Sequence, residues 1–196
     1  MYAILIIGCS LFLSPVCSEQ MTKEQAFIAT VKQVVDAFSR QDSSALVKFI
    51  DPKTGVFLLH RIGVTDTYSH YSTIGFSDSN YPNVLFRYSK SVQFSTIKYA
   101  KLPSWSCEGE SWSKTGLFVD TTKTDHIVSK ICGQQNKSVS ETHSGKTINY
   151  FYDLENKSRR IVLVDSGKRE LVFYLSYLSG EWFLTIVDIS SSDCSV

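Results

Sequence analysis

The four histidines of this chain, His60, His70, His126 and His143, together with Asp188, are the side chains best suited to moving protons. An imidazole titrates near neutral pH, and an aspartate in a shielded cavity can partner it in acid–base catalysis. His60, His70 and Asp188 are the candidates for such work: His60 sits beside Arg61 at the end of a strand-like run, and His70 lies in Tyr68-Ser69-His70-Tyr71. Nothing in their spacing joins them. The competing interpretation makes His70 a loop residue, His60 a rim residue and Asp188 the exit of a strand into solvent. A Cys107 nucleophile with a histidine partner is weaker, because an exported cysteine is more often in a disulfide. No G-x-S-x-G, H-E-x-x-H or phosphate loop occurs, and no C-x-x-C or H-x-x-x-H spacing offers a metal site. The expectation is no metal, no cofactor and no assigned catalytic residue.

The N-terminus says where such chemistry would take place. Tyr2 to Ile7 and Leu11-Phe12-Leu13 form an uncharged apolar run that stops at Pro15-Val16-Cys17-Ser18. About 15 apolar residues fall short of the roughly 20 a membrane span needs and match a secretory signal, although no Lys or Arg precedes them. Residues 1–17 are therefore read as a cleaved signal segment and residues 18–196 as a single domain. Leu13-Ser14-Pro15-Val16-Cys17 resembles the box at which bacterial lipoproteins are cut and lipidated, with Pro15 and Val16 in place of the usual small pair. A second box, Ile6-Ile7-Gly8-Cys9, leaves almost no apolar run before it. Cys17 is thus the lipid-attachment candidate, favoured over a soluble secreted form. The expected location is the periplasm or cell envelope, with the extracellular medium as the alternative.

In an oxidising compartment the remaining cysteines, Cys107, Cys132 and Cys194, allow one pair and one left over. Cys107 with Cys132 closes a loop of about 25 residues, which by chain entropy stabilises by roughly 3 kcal/mol. Cys194 can compete for either partner.

Composition narrows the function classes. An apolar content of 43% with 13% aromatic residues indicates a folded core and not a disordered tail. Twenty basic side chains against nineteen acidic ones leave a net charge of +1. The basic clusters are interrupted: Lys157-Ser158-Arg159-Arg160 has Asp153, Glu155 and Asp165 close by. Nucleic-acid binding lacks its electrostatic footprint. Tyr68, Tyr71, Phe76, Tyr81, Trp105 and Trp112 fall in segments that read as loops, where aromatic rings serve protein or glycan contacts. Tyr68, Tyr71, Trp105 and Trp112 are the binding candidates, unless these rings simply cap the end of a sheet. The sequons Asn136-Lys137-Ser138 and Asn156-Lys157-Ser158 fall in expected exposed turns.

The elements that must hold these residues begin with Thr22-Lys23-Glu24-Gln25, a capping box, followed by Phe27, Val31, Val34, Val35 and Phe38 at helical spacing. A second short helix starts at Asp42 or Ser43, buries Leu46, Phe49 and Ile50, and is ended by Asp51-Pro52. Val56 to Leu59 is a strand, Thr65 to Tyr81 a long loop or irregular hairpin, Asn83 to Tyr88 and Val92 to Tyr99 strands, and Pro103 to Lys114 irregular. Gly116 to Asp120 is a short strand, a brief helix runs from Thr124 or Asp125 through Ile131, and residues 134–145 are exposed. Thr147 to Asp153, Arg160 to Asp165, Glu170 to Leu178 and Trp182 to Ile189 read as a four-stranded antiparallel meander. Both faces of the third run are apolar, so it is central. The fold expected is α+β, with the N-terminal helices packed on one face of the sheet.

Phe49-Ile50-Asp51-Pro52-Lys53-Thr54-Gly55-Val56, after an amphipathic helix, resembles a helix-to-strand turn found in many small exported bacterial proteins and lipoproteins of unknown function. Gly180-Glu181-Trp182-Phe183-Leu184-Thr185-Ile186 is similar to the final strand of those proteins and of the nuclear transport factor 2-like superfamily. The resemblance covers the two ends of the mature chain. It implies helices folded over a curved sheet around a cone-shaped cavity, a fold that hosts both enzymes and binding modules.

Three functions compete. One is a non-catalytic, lipid-anchored exported domain that binds a protein, glycan or small molecule and meets the membrane only through its lipid. Another is a cavity enzyme of the same fold with a His/Asp acid–base pair. The third is a soluble secreted interaction protein stabilised by disulfides.

Overall fold

The computed structural model describes residues 21–76, 96–122, 124–138, 143–167 and 169–194. The signal segment, Cys17 and the strand expected over Asn83 to Tyr88 lie outside the described residues. Among those described, no helix is long and apolar enough to cross a membrane.

Helix α1 (Lys23–Arg40) begins as its sequence dictates, with the Thr22 hydroxyl accepting from the Gln25 amide and the Gln25 side chain accepting from the Thr22 amide. Its buried stripe includes Phe27, Val31, Val34, Val35 and Phe38. Asp42 caps α2 (Ser43–Val47) by accepting from the Ala45 amide. Asp51 then organises the turn into β1 (Val56–Ile62), taking the Thr54 amide on its side chain and the Gly55 amide on its carbonyl. Gly55 is obligatory there. Its φ is +67°, and a Cβ would lie 2.5 Å from the Tyr71 carbonyl and 2.6 Å from His70 Nε2.

Strands β2 (Thr65–Tyr71), β3 (Ile97–Tyr99), the two-residue hairpin β4 (Trp105–Ser106) and β5 (Ser111–Trp112), and β6 (Gly116–Val119) follow. Helices α3 (Ile127–Ser138) and α4 (Gly145–Asn156) precede β7 (Ser158–Val164), β8 (Glu170–Leu178) and β9 (Glu181–Asp188). The main sheet has seven strands in the order β2-β1-β9-β8-β7-β6-β3. Its pairs are antiparallel except β1 with β9 and β3 with β6. β8 is the middle strand, as its two apolar faces require.

Alternation along the strands divides the core in two. Phe27, Val31, Phe38 and Leu46 of the first two helices pack with Leu58, Ile161, Phe173, Leu175 and Leu184 on one face. Val128, Ile131 and Cys132 of α3 and Phe151 and Leu154 of α4 pack with Phe57, Leu59, Tyr174 and Ile186 on the other. Beside the second cluster, Trp112 and Leu102 cover Val162, Val164 and Val172.

The α+β class and the mainly antiparallel sheet agree with the sequence reading, and several details differ, among them α3, which runs past Ile131 to Ser138. Thr147 to Asp153 is helical, so the C-terminal meander has three strands. Ser144 caps α4 through the Thr147 amide, and Ile148, Phe151 and Leu154 recur at helical spacing against the sheet. The N-terminal helices α1 and α2 pack on one face as expected, and α3 and α4 cover the other. Thr65 to Tyr71 is a strand, and the stretch Pro103 to Lys114 contains the β4–β5 hairpin.

Candidate functional site

The second face of the sheet buries charge where the buried core of the first is apolar. Register places Arg160 on β7 opposite Tyr174 on β8, and Tyr174 opposite Ile186 on β9. Asp188, two residues beyond Ile186, points to the same side and is buried. Arg160 Nη2 lies 3.2 Å from Asp188 Oδ2, and Nη1 lies 3.1 Å from the half-exposed Asp125. Its guanidinium also sits 5.7 Å from the centre of the Tyr174 ring. Burial works against the Arg160 charge, but Tyr174, Asp188 and Asp125 more than offset it and raise its pKa. Burial holds the Tyr174 phenol well above its ordinary value.

Glu155 completes the cluster from α4. Fully buried, it accepts the Val128 amide at 2.6 Å, the Ser129 amide at 3.3 Å and the Ser129 hydroxyl at 2.6 Å. These donors open α3, whose first turn has no acidic residue of its own. Glu155 therefore acts as a cap lent by a neighbouring helix, where the α3 dipole favours an anion. Burial nevertheless dominates and leaves its carboxyl above the usual range, despite the opposing pull of Ser129, Val128 and His126. His126 Nδ1 is 3.7 Å from Glu155, and its ring stacks on Tyr152 at 4.2 Å.

The segment after β9 closes over this cluster. Asp188 Oδ1 accepts from the Ser190 amide, the Ser190 hydroxyl and the Ser191 amide. Oδ2 accepts from the Ser191 hydroxyl and from Arg160. Farther out, Arg61 donates to the Asp193 carbonyl, Ser192 to Glu170, and Trp105 Nε1 to Cys194 Sγ at 3.0 Å. Each such bond contributes about 1 kcal/mol net, whereas ordering each residue costs about 1–2 kcal/mol of backbone entropy. Hydrogen bonds alone hold the end of this segment poorly. The disulfide Cys107–Cys194 adds the missing tie, across 87 positions of sequence. It corrects the pairing of Cys107 with Cys132: the latter is a free, buried thiol in the α3–α4 cluster, its pKa raised by burial.

Chemically the cluster is a clasp. Both Asp188 oxygens are saturated by donors, which leaves no lone pair suited to taking a substrate proton. Arg160 Nε, Tyr174 Oη and His126 Nδ1 are buried here without a hydrogen-bond partner among the described residues. No group of three or more His, Cys, Asp or Glu side chains among those residues could hold a metal ion.

The candidates named from sequence do not assemble into one site. Asp188 is in the clasp. His60, one residue past the Leu59 that aligns with Asp188, points to the opposite face and bonds Ser69 Oγ at 3.0 Å. His70 stacks on Phe57 at 4.6 Å, and its Nε2 lies 2.9 Å from the Thr54 carbonyl oxygen. The aromatic candidates lie on strands and not on loops. Tyr68 packs on Phe57 and Phe151, Tyr71 against the α1 side of the core, and Trp105 edge-on to Trp112. All four are half-buried. Asn136 lies within α3 with its amide engaged by His143, so its sequon is not on an exposed turn; Asn156 is exposed at the end of α4. Sequence reasoning missed Glu155, Arg160 and Tyr174. A charge on the buried parity of a strand (Arg160, Val162, Val164) was the available signal.

Comparison of the chain with known protein families, with curated proteins and with solved structures returns no match.

Proposed function

We propose that the chain is an exported, non-catalytic binding domain, tethered through a lipid on Cys17, that takes an extended segment of a partner protein along strand β2. The supporting observation is the β1–β2 hairpin. Among the described residues β2 is an edge strand, and the turn joining it to β1 displays Ile62 at 67% exposure and Val64 at 75%. Neither Lys nor Pro interrupts β2, and its one carboxylate, Asp66, is paired with Arg61 of β1. An edge of this kind offers main-chain hydrogen bonds to an added strand, and the apolar tip offers it side-chain contacts. The sheet is a curved one of nuclear transport factor 2-like kind in this proposal, with Phe27, Phe38, Leu46 and Phe173 filling its concave side. That filling favours surface binding over a cavity ligand.

Selection of displayed random peptides on the intact protein tests the binding. Peptides are expected to bind wild type and to lose at least tenfold in affinity on the Ile62→Asp, Val64→Asp double variant, whose melting temperature is unchanged. Equal binding to both proteins refutes the edge. Palmitate labelling that disappears in Cys17→Ser tests the tether separately.

A second reading draws on the His60–Ser69 contact. Burial lowers the His60 pKa, which favours the neutral imidazole that can accept a proton from Ser69. Labelling of Ser69 by a fluorophosphonate, lost in His60→Ala, would replace the non-catalytic reading with a hydrolytic one.

A further inference from the structure

We propose that the Cys107–Cys194 disulfide is a reducible latch, whose opening frees the segment Ser190 to Cys194 from the sheet and uncovers Arg160 and Asp188. The segment is suited to release because it contains no apolar anchor: its residues are three serines, Asp193 and Cys194. Its inner half bonds to Asp188 and Arg160, with the Ser190 carbonyl also taking the Asp193 amide, and the bonds of its outer half include those with Arg61, Glu170 and Trp105. Once the covalent tie is gone, the outer half regains its chain freedom. Solvent then reaches two charges that the closed form holds against each other.

The two sulfurs are not equivalent. Cys107 belongs to an exposed turn of the β4–β5 hairpin, whereas Cys194 is half-buried and receives the Trp105 indole N–H. A dithiol reductant attacks through its thiolate at Cys107 Sγ, and the Cys107–Cys194 bond breaks. The electron pair leaves on Cys194 as a thiolate, stabilised by the indole donor until it takes a proton. The second thiol of the reductant then displaces Cys107 from the mixed disulfide. Two protein thiols and one oxidised dithiol result. Cys132, buried on α3 in the α3–α4 cluster, takes no part.

The proposal is independent of the binding partner and is tested on the purified protein. Hydrogen exchange is followed by mass spectrometry with and without dithiothreitol. Amides of residues 190–194 are expected to exchange at least tenfold faster after reduction, while α1 and β8 keep their protection. Cys107→Ser is expected to show the same open pattern without reductant. Trp105→Phe is expected to slow reduction severalfold and to leave the oxidised exchange pattern intact. Unchanged protection of residues 190–194 after reduction overturns the latch. So does a rise in exchange across the whole domain, which would make the disulfide a staple of the fold.

Discussion

The two faces of the central sheet are built on different principles. Under α1 and α2 the buried contacts are apolar, Phe173, Leu175 and Phe27 meeting without a buried charge, and the Arg159–Glu24 pair lies over Phe27 at the half-exposed margin. Under α3, α4 and the C-terminal segment, apolar packing stops at Arg160, Asp188 and Glu155, which are held by one another and by backbone donors. The first face derives its stability from area removed from water. The second must recover the desolvation of its ions through geometry, so it tolerates replacement of a whole pair better than loss of one member.

The largest effect that would sharpen this contrast is Phe173→Ala. It should cost about 3–5 kcal/mol in chemical denaturation, because the cavity opens in the middle strand where nothing can collapse. Asp188→Ala comes next at about 3 kcal/mol, since it strands Arg160 and four donors of the terminal segment. The double change Asp188→Leu with Arg160→Met should recover much of that loss. A double variant as unstable as Asp188→Ala would show that the two faces do not differ in this way.

Glu155→Gln is smaller, about 1–3 kcal/mol, because one of the donors that open α3 loses its acceptor. Its signature is pH dependence. Burial raises the Glu155 carboxyl above 4.5, so the protonated form is the one that folding favours. Stability from this group is complete below pH 4.5 and is lost as pH rises through the higher folded value. Urea unfolding should therefore find the gap between wild type and Glu155→Gln narrowing as pH increases. Smallest of all is Tyr174→Phe, which removes a hydroxyl without a hydrogen-bond partner among the described residues and should be nearly neutral. A loss above about 1 kcal/mol would reveal that this oxygen is bonded in solution.

What could be read in the sequence follows the same division. The capping box at Thr22, the α1 stripe and the double-sided β8 are local patterns, and period alone reveals them. The clasp joins residues 125, 155, 160, 174 and 188, which no period connects. Residues 147–153 failed for a physical reason: Ile148, Tyr150 and Tyr152 alternate as in a strand, yet the stripe turned inward is the half-buried Ile148 with the buried Phe151, Leu154 and Glu155. Packing overrode propensity there. With α4 misread, Glu155 had no helix to lend a cap from. The disulfide was illegible because three cysteines do not state which two approach.

Strand β1 lies between β2 and β9, with Phe57 and Leu59 aligned to Ile186 and Asp188. A ribosome making this chain releases β1 and β2 long before β9 exists. The N-terminal hairpin must therefore wait, one side unzipped, until translation has nearly finished. A polypeptide whose sheet cannot close early stays threadable for longer, which suits passage through a narrow channel and exposes it to aggregation until the last strand arrives.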